Sequence, residues 1–227
     1  MANKKVFAKV ILALGVICAG VIGATLALLS QVSETATNTF SSNKNISMQL
    51  REPAWDGYTF NDALPNKPGE IKKPGVSDNL GIDIAKQYVP GDVINKNPML
   101  QNMEENVWAA IKVEYINDEG MSISKADFNK LYGKTKHGQN AEINTNYSLL
   151  SNGNANYEVY LLNSILESTT ETNKTVLFDS IKINENLQPD KDGKLPTFKI
   201  KVSGYAVQSQ NVDIETAKKE ILSMANH

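Results

Sequence analysis

The chain has 227 residues, room for one large domain with a substantial core, and its 23 basic and 25 acidic residues leave a net charge of −2. So even a balance gives nucleic-acid binding no electrostatic footprint. The single cysteine, Cys18, excludes a disulfide framework.

The chain opens on Lys4, Lys5 and Lys9 and then runs from residue 10 to residue 29 without a charge. That run has the length of a membrane span, so a retained anchor is one reading. Its abundance of Gly and Ala, and its end at Ala24, Thr25, Leu26 and Ala27, favour a signal helix over residues 1–27 with cleavage between Ala27 and Leu28. The small side chains of Thr25 and Ala27 suit the pocket of a signal peptidase. Cys18 lies inside the apolar run behind Ile17, where lipid attachment would need a small residue, so it reads as a small hydrophobe of the signal helix. Removing the segment takes away three lysines and leaves 20 basic against 25 acidic residues. This acidic balance keeps an exported protein soluble.

Residues 28–39 are polar and small, and a first strand follows, with Phe40 ahead of the alternating Ile46, Met48 and Leu50. Residues 28–52 therefore form an N-terminal segment with its first strand, and residues 53–227 the main β-domain. Six of the eight prolines fall between Pro53 and Pro98. They predict an ordered loop wrapping the domain, with an outlying strand over 81–85. The clearest strand is 107–115, where Val107, Ala109, Ile111, Val113 and Tyr115 share one face and Trp108, Ala110, Lys112 and Glu114 the other; it should be central. Ser124 and Asp127 have the spacing of a capping box for a short helix ending before Gly133.

Further strands are predicted at 157–162, 176–183 and 197–207, the last bent or bulged at Gly204. Asp213 can cap a closing helix with Ile214, Ala217, Ile221 and Leu222 on one face, packed at the edge of the sheets. Strands at irregular intervals, two short helices and no β-α-β rhythm predict a mainly β fold of two packed antiparallel sheets.

Catalytic candidates are few. His137 lies in the solvated stretch 133–138 and His227 ends the chain, and neither belongs to a His-Glu-x-x-His spacing. Asp190, Asp192 and Gly193 resemble the start of a calcium loop that lacks its later ligands, so a turn is the better reading. Glu104 and Glu105 read as an exposed loop ahead of a strand, and Trp55 and Trp108 as packing residues rather than ligand platforms. These residues give no catalytic set, metal site or cofactor.

The end of the apolar run at residues 24–27, with Thr37, Asn38, Thr39, Phe40 and the strand 46–50, resembles the start of the TasA and camelysin family of exported Gram-positive proteins, which depend on a dedicated signal peptidase, SipW. Val89, Pro90, Gly91 and Asp92, followed by 96–103 and 107–113, are similar to the family's Pro-Gly-Asp block. Residues 198–208 and the helix after them resemble its closing strand and helix. The resemblance implies a jelly-roll-like antiparallel β-sandwich.

For function, it implies a secreted structural protein of the cell surface or biofilm matrix whose partners are copies of itself, other matrix or cell-wall components, and the signal peptidase. The membrane would be met only through the uncleaved signal segment. Assembly in this family lends an N-terminal strand to a neighbour, which here falls on Phe40, Ile46, Met48 and Leu50. The competing expectation is that this strand closes its own sheet. A camelysin-like metallopeptidase and a surface adhesin that does not polymerise are the alternatives.

Overall fold

The computed structural model describes residues 19–28, 46–169 and 171–226. Most of the expected signal helix, residue Phe40 and His227 lie outside them. The fold is mainly β and its strand pairs are antiparallel. Twelve strands are described: β1 Ala19–Leu28, β2 Met48–Arg51, β3 Val93–Asn95, β4 Met99–Asn102, β5 Val107–Ile116, β6 Ser122–Ile123, β7 Gly133–Lys136, β8 Tyr147–Ser151, β9 Glu158–Leu162, β10 Lys174–Val176, β11 Ser180–Ile183 and β12 Lys199–Gln208. The helices are α1 Pro53–Asp56, α2 Gly81–Ile84, α3 Lys125–Leu131 and α4 Ile214–Ala225.

The largest sheet runs β1-β12-β5-β9-β8, with β6 against β5. β5 is central, as its pattern predicts. Its odd-numbered residues, from Val107 to Tyr115, enter the main core, while Ala110 faces a second cluster beneath α4. Trp108 packs against that second cluster and donates its indole N–H to the carbonyl of Val212 at 3.0 Å. α4 starts at Asp213, whose carboxylate accepts from the Thr216 N–H at 2.8 Å. At its far end Lys112 donates to the carbonyl of Ala225 at 2.9 Å, a cation placed on the negative end of the helix. The helix lies on a face of the large sheet rather than at its edge, because Ala217, Ile221 and Ala225 are fully buried against Val159, Leu161, Tyr205 and Val207. Ser124 caps α3 as its spacing predicts, accepting from the Asp127 N–H at 3.0 Å.

Two three-stranded sheets, β10-β4-β2 and β3-β11-β7, contribute to the main core with the other face of the large sheet. The single strand expected over 176–183 is in fact two, β10 and β11, one in each small sheet. Leu177 and Phe178 are both fully buried, which breaks the alternation, and Pro98 on the neighbouring chain segment has no N–H to continue the ladder. Hydrogen bonds from Leu177 N to Pro98 O and from Lys96 N to Asp179 O bridge the break.

Residues 53–92 wrap the domain in ordered turns. Trp55 is fully buried and donates to the Gly69 carbonyl at 2.6 Å; Asp56 accepts from the N–H of Tyr58 and of Gly69. The strand expected over 81–85 is the helical turn α2. Its backbone bonds close locally, from Ala85 N to Gly81 O, and a Cβ on Gly81 would stand 1.7 Å from the Asn95 carbonyl oxygen. The bulge expected at Gly204 lies in the partner strand instead. β12 stays in unbroken register with β5 through Gly204, and the shift falls between Ile22 and Ala24 of β1.

Candidate assembly edge

The segment with the strongest functional prediction is paired with β12. Of the part of residues 1–27 that is described, Ala19–Leu28 is an extended strand rather than a helix, antiparallel to β12 from Ala19 opposite Val207 to Leu28 opposite Lys199. The pairing has a simple cause. β12 is bonded to β5 on one side only, so its other side presents a row of N–H and C=O groups that any extended segment can satisfy. The apolar segment 19–28 is rich in small and β-branched residues, and outside a lipid phase it gains from an apolar slot.

That slot lies between two layers. Ile200, Val202 and Ala206 of β12 point into the main core, while Tyr205 and Val207 point under α4. β1 accordingly touches α4 on one side and β2 on the other. On the helix side, Glu114 bridges Lys201 at 3.3 Å and Lys112 at 3.7 Å. Burial, with Glu114 nearby, pushes the Tyr205 hydroxyl up to about 12, so it stays neutral at the slot wall.

The residues singled out in sequence fall on both strands beside this slot. Thr25 pairs with Val202, Ala27 with Ile200 and Leu28 with Lys199, so the peptide bond expected to be cut lies at the last pairs of β1. Cutting it would separate all of β1 except Leu28 from the chain.

The candidate assembly strand is divided. Phe40 lies outside the described residues. Ile46 is half-buried against the main core, and Met48 and Leu50 are buried in β2 opposite Asn102 and Leu100 of the same chain. Residues 48–51 therefore close a sheet of their own domain in this chain, and the two candidate sets meet where β1 passes β2.

Other candidates are accounted for by local contacts. His137 Nδ1 lies 3.0 Å from Asp179 Oδ2, beside a backbone bridge to Ala141. Asp190 Oδ1 accepts from the N–H of Asp192 and of Lys194, both at 2.9 Å, which makes 190–194 a side-chain-closed turn. Among the described residues, no group of three or more His, Cys, Asp or Glu side chains is placed to hold a metal, and no helix is long and apolar enough to cross a membrane.

Sequence reasoning missed a buried ion pair. Lys96 Nζ donates to Glu52 Oε1, both side chains are fully buried, and the ammonium lies 5.4 Å from the Trp55 ring centroid. In the sequence its only trace is two charges, one just ahead of the Pro-rich segment and one near its end. Comparison of the chain with protein-family models, with curated proteins and with solved structures gives no match.

Proposed function

We propose that the chain is an exported structural protein of the TasA and camelysin kind, a jelly-roll-like sandwich whose signal segment is cut after Ala27, and that it assembles outside the cell by accepting a strand from another copy. The observation that carries the reading is the occupancy of the β12 edge. The strand that fills it lies almost entirely within the segment read as a signal peptide. Release of that segment opens eight of the nine paired positions of β12, in a slot with apolar side chains on both faces.

An opened edge of this length is unstable in isolation, and strand addition supplies both the missing backbone bonds and side chains for the slot. The donor is the stretch of the neighbouring chain ahead of its β2. Residues 28–47 span at most about 65 Å when extended, enough to lie along β12 of a second subunit while β2 stays in its own sheet. Before cleavage the cis strand blocks the acceptor and the donor is tethered, so processing acts as the switch.

Size-exclusion chromatography and electron microscopy of the 28–227 form test the reading. Concentration-dependent growth into fibres is expected. A monomer across concentration, pH and seeding would refute it.

A further inference from the structure

The linear sequence suggests no basic patch, yet folding makes one. Lys134 and Lys136 stand two apart on β7, on the face opposite the buried Thr135, and Lys182 of β11 lies directly across from Lys134. Lys130 joins them from the last turn of α3, and the four lysines line one open cleft of about 420 Å³. Like charges directly opposite each other on paired strands repel. Compensation is partial: Lys182 donates to the Gly91 carbonyl at 2.5 Å and lies 3.3 Å from Glu185, and Glu142 lies 4.0 Å from Lys134, while Lys130 and Lys136 have no ion-pair partner among the described residues. Glu185 is the one carboxylate in the lining.

This crowding is built into the backbone. A Cβ on Gly133 would stand 2.4 Å from the Lys182 carbonyl oxygen, so only glycine lets β7 seat on β11 closely enough to set Lys134 against Lys182. The remaining lining is informative. Asn186 offers an amide that can both donate to and accept from a hydroxyl, while Asn184 donates to the Lys130 carbonyl at 3.1 Å and accepts from the Asn186 N–H at 2.9 Å and so fixes the lining; no aromatic ring lines the cleft. A nucleic-acid strand is held largely by stacking its bases on such rings.

We propose that this cleft binds a linear phosphodiester polymer that carries free hydroxyls, a polyol phosphate, with the lysines on its phosphates and the Asn186 amide on a hydroxyl. Residues two apart on a strand are about 6.8 Å apart, comparable with one repeat of a three-carbon polyol phosphate. The inference stands apart from strand assembly.

The test is titration of the full 227-residue chain with poly(glycerol phosphate) at several salt concentrations, with single-stranded DNA of equal phosphate number as the second arm. Poly(glycerol phosphate) is expected to bind more tightly than DNA. Replacing Lys134, Lys136 and Lys182 together by Gln should weaken it at least about tenfold and flatten the slope of log K against log salt by about 2. Lys218→Gln, on α4, should leave binding unchanged. Lys134→Glu should abolish binding; because the new carboxylate also faces Glu142, which lies 4.0 Å from the Lys134 ammonium, an unchanged far-ultraviolet circular dichroism spectrum checks that the variant is folded. Undiminished binding by the triple variant, or DNA binding as tight as the polyol phosphate, would overturn the proposal.

Discussion

Replacing Lys96 by Met should destabilise the protein by about 3–5 kcal/mol at pH 7, the cost of removing one member of a buried ion pair. Glu52 and Lys96 are both fully excluded from solvent; Lys96 donates to Glu52 Oε1, and Glu52 Oε2 has no hydrogen-bond partner. Without the ammonium, the Glu52 carboxylate would be left in a dry site with the carboxyl of Asp56 nearby. The double variant Lys96→Met with Glu52→Met removes both charges at similar volume, and should fall within about 1 kcal/mol of the parent or exceed it. Urea unfolding followed by the fluorescence of the buried Trp55 reads all three proteins. A Lys96→Met cost below about 1 kcal/mol, or a double variant as unstable as the sum of its parts, would refute the view that these charges compensate each other.

Asp56 supplies a pH test. Burial, its largest influence, raises its carboxyl from 3.8 to about 7, with Glu52 adding to the rise and Lys96 opposing it. The folded chain therefore holds a proton that the unfolded chain releases between about pH 4 and pH 7, and stability falls as pH rises through that window, by on the order of 4 kcal/mol. Asp56→Asn should flatten the decline and stabilise the protein at pH 8, less about 1 kcal/mol for the lost acceptance from the Gly69 N–H; an unchanged pH profile would count against a buried, proton-holding Asp56. Gly81→Ala should cost about 3 kcal/mol, because its Cβ meets the Asn95 carbonyl and, at 2.7 Å, the Trp55 ring; a lowered urea midpoint at unchanged slope is the expected readout. Ile221→Ala should cost about 3 kcal/mol and lower the melting temperature by about 6–12 °C, and a smaller change would mean that α4 is not docked on the sheet.

The legible parts of this fold were those where one periodicity holds over a whole element. β5 shows its two faces in sequence because ten residues alternate without interruption, and α3 and α4 show their starts because Ser124 and Asp213 are capping residues at the right offset. The short strands β3, β4 and β7 were not legible, since three or four residues carry too little pattern to separate strand from loop. The split of 176–183 depends on a proline nearly eighty residues away, which no local window contains.

β1 was hidden for a different reason. A long apolar run reads as a membrane helix by its length, and its pairing with β12 depends on an edge formed about 180 residues later in the chain. At the candidate sites, the small residues of 24–27 and the alternation of 46–50 are visible in the sequence, whereas the β1–β12 pairing, the Glu52–Lys96 pair and the full lysine cleft exist only once separated segments meet. Three of the four cleft lysines do lie within seven residues, 130–136, and that local density was the available signal.

The central claim is that removal of residues 1–27 opens β12 and that another copy closes it. Hydrogen exchange of the β12 amides, measured on the 28–227 form before and after assembly, tests this most directly. Rapid exchange in the monomer of the alternate amides of 199–207 that face away from β5, with protection appearing on assembly while the amides bonded to β5 stay protected throughout, is the predicted result. Protection of the outward-facing amides already in the monomer, or assembly that leaves their exchange unchanged, would contradict it.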